Sequence, residues 1–232
     1  MLSALTRNPR LRIPFFTFSH PMDLPTPYCH GMAELPSASS ERAKVRSTLL
    51  DPTLPLPTSD PLFTHLAHGL ALTTGSALGS TPPTRATCLA AFLIPNIAGL
   101  TAGARAWSKH SHRSQPPDMG EDEKGRRKAS EGWWGTPTGP VAVINDKALA
   151  LFHKVVDGAT WRNLHWLPHR VLVYEVRVPE GYGMRWSQDR SGVEDGEGVE
   201  VKVVEEEEER PWTFRGFVEP MMENGHEIGW RH

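Results

Sequence analysis

Arginine, glutamate, histidine and tryptophan crowd most densely into the last twenty-one residues, Trp212 to His232, WTFRGFVEPMMENGHEIGWRH. Imidazoles and carboxylates at that density can exchange protons or hold a metal ion. The acid–base candidates are His226, Glu219 and Glu223, and the metal candidates are His165, His169, His226 and His232. His226-Glu227 opens like the zinc-protease pattern HExxH, but position 230 is Trp, so that motif fails. His165 and His169 would share one face of a helix, yet Pro168 between them argues for a turn. The plainer account makes these histidines turn-capping residues. No cofactor is then needed, and a divalent metal fits only if the imidazoles and carboxylates converge.

A second chemistry rests on Arg185 and Arg215. A guanidinium grips carboxylate or phosphate through two parallel hydrogen bonds, and the nearby Trp186, Trp212 and Trp230 offer flat faces for a planar ligand. The competing account is a solvated face paired with Glu175 and Glu200. Nucleophilic catalysis has little to build on. There is no GxSxG elbow, no P-loop and no cysteine after Cys88.

The elements that must carry these groups follow from periodicity. Ala148, Leu149, Leu151, Phe152, Val155 and Val156 predict a helix capped by Asn145 or Asp146 and stopped at Gly158. Period-two alternation predicts strands over 170–178, 182–187, 199–204 and 212–218. Leu172, Tyr174, Val176, Met184, Trp186, Trp212 and Phe214 would face the helix. Glu175, Arg177, Arg185, Lys202 and Arg215 would face the other way. The expected fold is therefore α+β: a small antiparallel sheet of three to four strands with one packing helix. A mostly disordered or irregular N-terminal half would precede it.

Seventeen of the 21 prolines lie before Val141, and seven of the eight tryptophans lie at or after Trp133. Proline removes backbone donors, so order should concentrate late in the chain. The expected divisions are a disordered basic, Pro-rich stretch over 1–60, apolar helical segments over 61–107, a charged linker over 108–132 and a folded α+β domain over 133–232. His110 and His112 fall in the linker, where an HxH pair would bind metal weakly at best. Pro61–Gly79 and Ala86–Ala104 are apolar enough to suggest a membrane hairpin, though Pro95-Asn96 breaks the second. Residues 1–22 are basic and free of acids, which suits a mitochondrial transit peptide, but Pro9 and Pro14 interrupt any helix there. Two distant cysteines, Cys29 and Cys88, make no disulfide framework and fit a reducing compartment. The expected location is intracellular, cytoplasmic before mitochondrial. Net charge is −2, with residues 1–120 near +4 and residues 121–232 near −6, so no nucleic-acid partner is expected.

WRNLHWLPHR (161–170), GYGMRW (181–186) and FRGFVEPMMENGHEIGWRH (214–232) together resemble a family of small proteins frequent in filamentous fungi. The resemblance covers about the last 75 residues and implies one folded unit. It implies no activity, cofactor or ligand. On the residues themselves, the first expectation is a small binding module. It would hold an anionic small molecule or a partner peptide through its Arg/aromatic sheet face and C-terminal tail. The alternatives are an enzyme with a His/Glu acid–base or metal site in the tail, and a membrane-tethered protein.

Overall fold

The computed structural model describes residues 24–114, 132–191 and 210–221. Four strands, β1 (Trp161–Leu167), β2 (Val171–Arg177), β3 (Gly183–Asp189) and β4 (Thr213–Val218), form an antiparallel meander in the order β1-β2-β3-β4. The α+β class expected from the alternation is the class observed. The register shows why. Leu164, Tyr174, Trp186 and Phe214 lie side by side across the sheet, as do Asn163, Glu175, Arg185 and Gly216 in the next row. Successive side chains point to opposite faces, so the first row is apolar and the second polar.

The apolar face packs on helices α3 (Arg85–Leu93), α4 (Ala102–His110) and α5 (Val141–Asp157). Phe92 of α3 lies against the rings of Phe152 and Phe214, at centroid distances of 5.2 Å and 4.8 Å. Gly103 lets α4 come this close. A Cβ there would stand 1.9 Å from Phe92 Cζ. Trp186 is fully buried, and its indole N–H donates to the Cys88 carbonyl at 3.0 Å. One apolar cluster thus runs from Leu70 to Phe217, and the folded unit does not begin at Trp133.

The N-terminal half carries four of the five α-helices found among the described residues. α1 (Ala38–Leu50) and α2 (Pro61–Ala67) pack together around Phe63 and Leu66. Asp60 caps α2 by accepting from the Leu62 and Phe63 amides, and Pro61 fits the first turn. The two apolar stretches are each interrupted. Gly69 takes a positive φ after α2, and α3 ends before Pro95. Among the described residues no helix is long and apolar enough to cross a membrane.

One local expectation needs correction, and one strand is additional to those expected. α5 starts at Val141 behind Pro140, not at Asn145 or Asp146. Asn145 instead accepts from the Thr101 amide at 3.1 Å and donates to the Gly99 carbonyl at 2.9 Å, tying α5 to the loop before α4. The 161–167 segment is a strand, although its residues do not alternate cleanly. Both of its faces are partly covered, and residues 71–77 bond its outer edge, with Ala71 and Ala77 amides donating to the Arg162 and Leu164 carbonyls. The strand expected over 199–204 lies outside the described residues.

Candidate functional site

The polar face of the sheet is not an open, solvated surface. Glu175 and Arg177 are 2% and 1% exposed. Glu175 takes the Arg177 Nε with one carboxylate oxygen and the Arg185 Nε with the other. Burial alone would raise this carboxyl, but the two guanidinium groups hold it below the usual range. Arg177 reaches further, donating through Nη1 to the carbonyls of Gly181 and Glu219 at 2.6 Å and 2.8 Å.

Beside this buried cluster lies a cleft of about 340 Å³, within the size range of small-ligand sites. His110, Arg113, His165, Arg185, Arg215 and Glu219 line it, with Val173, Phe217 and Val218 among its apolar walls. His165 comes from the middle of β1, on the face away from the helices, with Val173 opposite it on β2. Arg185 stands on β3 opposite Gly216. A register shift between Arg185 and Trp186 pairs Gly216 with Arg185 and Phe214 with Trp186. Arg215 falls between those two pairs as a bulge residue, turned out to solvent at the rim. Glu219 follows β4 directly, and the Arg177 bond to its backbone carbonyl fixes where it leaves the sheet. His110 ends α4, and Arg113 sits in the 3-10 turn that continues it, Ser111–Ser114.

The electrostatics of the cleft suit proton transfer. Burial lowers His165, with Arg185 and Arg177 lowering it further and Glu175 opposing them. Burial also lowers His110, helped by Arg113, Lys109 and His112. Glu219 moves the other way: burial raises its carboxyl against the pull of Arg113 and Arg177. Among the described residues, His110 Nδ1, His165 Nδ1 and Glu219 Oε1 are buried without a hydrogen-bond partner. A buried polar atom left unpaired is costly, and these three are free to take a partner in the cleft.

The structure sorts the expected site residues. Arg185, Arg215, His165 and Glu219 meet in the cleft. Trp186 does not, because it belongs to the apolar face and is enclosed. Trp212 lines a different hollow with Arg190 and Arg210. His169 is exposed on the β1–β2 turn in a left-handed conformation and is not among the residues lining the cleft that His165 lines. The proposed pairing of His165 with His169 is therefore not made. Among the described residues no group of three or more His, Cys, Asp or Glu is gathered as metal ligands. Glu223, His226, Trp230 and His232 lie outside the described residues. His110 and Arg113 are the additions that sequence reasoning placed in a linker. A signal was there, since Thr101 caps a turn carrying Ala104 and Trp107 at helical spacing.

No curated protein and no solved structure matches this chain. A family model does. The expectation that nucleic acid is not among the partners does not stand, and the enzyme alternative gains over the binding module. The reason is that residues 94–194, which carry α4, α5 and β1 to β3, match the CdiA C-terminal tRNase toxin domain.

Proposed function

We propose that this chain is a ribonuclease, acting on tRNA or a closely similar RNA, with its acid–base site in the cleft between β1, β3 and the end of β4. One observation supports this above others. A single concave site holds three arginines, two histidines and a carboxylate, and four of those six residues fall inside the segment that matches a tRNase family.

RNA carries its own nucleophile, the 2′-hydroxyl beside each phosphodiester. Cleavage needs a base for that hydroxyl, an acid for the departing 5′-oxygen, and positive charge around the phosphorus as negative charge builds. Glu219 is the base. Burial raises its pKa, which makes it more basic than an ordinary carboxylate. His165 is the acid, and its lowered pKa makes its imidazolium a stronger proton donor. The 2′-oxygen forms a bond to phosphorus as Glu219 takes its proton. The bond from phosphorus to the 5′-oxygen breaks as His165 delivers a proton there. The products are a 2′,3′-cyclic phosphate and a 5′-hydroxyl. Arg185 and Arg113 hold the phosphate, and Arg215 at the rim meets the adjoining backbone. The chain's net charge of −2 says nothing against this, because a cleft concentrates local charge whatever the total.

The test is incubation of the full chain with total tRNA, followed by end-group analysis of the fragments. His165→Ala and Glu219→Gln should each slow cleavage by about 10²–10⁴-fold, the usual loss on removing an acid or base. Both variants should keep the parent's far-ultraviolet spectrum. A parent that cleaves no RNA at any pH from 4 to 8, with or without divalent ions, overturns the reading. So does undiminished cleavage by both variants.

A further inference from the structure

We infer that Glu175 is a positioning residue of the cleft: with Arg177 it forms a buried brace that sets the Arg185 guanidinium and the backbone of Glu219 in a fixed relation. The brace is read from geometry. It rests on the ribonuclease reading only for the roles of Arg185, His165 and Glu219.

Glu175 and Arg177 are two apart on β2 and therefore share the polar face. Glu175 pairs in register with Arg185, and Arg177 pairs with Gly183. That glycine is needed. A Cβ at Gly183 would stand 2.8 Å from Arg177 Cγ and 2.1 Å from the Val176 carbonyl oxygen, so only its absence lets Arg177 lie flat. From there the chain of bonds runs in one line. Arg185 Nε donates to Glu175, Arg177 Nε donates to the other Glu175 oxygen, and Arg177 Nη1 donates to the Glu219 carbonyl. Arg185 is held through Nε alone, and among the described residues its Nη1 and Nη2 carry no hydrogen bond. A guanidinium anchored by one edge presents a rigid fork to an anion on the other. Burying two such charges is worthwhile only when both are paired, so the brace has little freedom to rearrange.

Glu175 also sets the field at His165. The charged groups facing that imidazole are Glu175 and Arg177 from β2, Arg185 from β3, His110 and Arg113 from the end of α4, and Arg215 and Glu219 from β4. Glu175 opposes the two neighbouring arginines there. Neutralising it would leave His165 facing both of them, and its protonation would move to lower pH.

The experiment compares the full chain with Glu175→Gln and Glu175→Asp in two measurements that need no activity. One is the NMR titration of the His165 ring, and the other is the binding of inorganic phosphate. Glu175→Gln should lower the His165 midpoint by about one pH unit. Glu175→Asp keeps the charge but cannot span both Nε atoms. It should leave that midpoint within a few tenths of the parent's and weaken phosphate binding roughly tenfold or more, the loss expected for a hydrogen bond to a charged group. Where Glu175→Gln fails to fold, Glu175→Asp alone decides the matter. An unmoved His165 midpoint in Glu175→Gln overturns the inference. Parent-like phosphate binding in Glu175→Asp, or a parent that binds no phosphate, does so equally. If the parent cleaves no RNA while these shifts appear, the ribonuclease reading falls and the brace stands.

Discussion

At the scale of single residues, Glu219 and His165 are shifted toward each other. Burial raises the first above its ordinary 4.5 and lowers the second below its ordinary 6.5. With Glu219 as base, activity rises as its carboxyl ionises. With His165 as acid, activity falls as its ring loses a proton. Both limbs are therefore drawn inward. The profile of kcat/KM against pH should be a narrow bell whose maximum lies between those two ordinary values. A flat profile from pH 5 to 8 would remove this assignment of roles. In Glu219→Gln the acid limb should disappear from the residual rate, while the basic limb stays.

At the scale of elements, the site depends on how closely α4 lies on the sheet, because that helix delivers His110 and leads into Arg113. Gly103 sets the approach. Gly103→Ala puts a methyl where the Phe92 ring stands, so either the ring or the helix must move. A forced insertion into a packed core costs about 1–3 kcal/mol. Phe92→Ala should cost more, about 3–5 kcal/mol, since it empties the space between Phe152, Phe214 and Phe217. Urea melts would give both figures. Gly103→Ala should in addition slow RNA cleavage at a temperature where the variant is fully folded, because His110 and Arg113 shift with the helix. Full activity in that variant would mean that the end of α4 contributes nothing to the site.

At the scale of the whole molecule, residues before and after the charged stretch at 115–131 share one core. Cys88, Phe92 and Trp107 pack with Phe152, Trp186 and Phe217. The N-terminal segment also straps the sheet, with the Tyr28 and His30 amides donating to the carbonyls of Thr160 and Pro179. A chain starting near residue 131 would expose the part of the sheet's apolar face that α3 and α4 cover. It would also leave the Trp186 indole without the Cys88 carbonyl. It should therefore give a broad, non-cooperative melt, whereas residues 24–232 should unfold in one transition. A sharp transition from the shorter chain would show that the sheet and α5 suffice, as composition alone suggests.

The sequence by itself determined the class of fold and the two faces of β2 and β3, whereas the bulge at Arg215 turns Phe217, expected beside Arg215, into the apolar core. Alternation is a property of neighbours along the chain, so Leu172, Tyr174 and Val176 against Glu175 and Arg177 could be read before any coordinate. Arg185 and Arg215 were legible as a polar pair for the same reason, and both line the cleft. β1 was not legible, since a strand covered on both faces loses the alternation that marks it. Proline density misled about residues 24–110. Proline forbids long elements but sits well in the first turn of short helices and in the links between them, as Pro61 does. Trp186 and Trp212 carry the same chemistry in sequence, and only burial separates a core indole from one lining a separate hollow. What tertiary structure alone decided is the meeting of His110 and Arg113 with His165, Arg185 and Glu219. Those groups lie on four elements up to 109 positions apart in sequence. Nothing in local pattern reports that distance, because it is set by a helix packing against the far side of a sheet and ending at its edge.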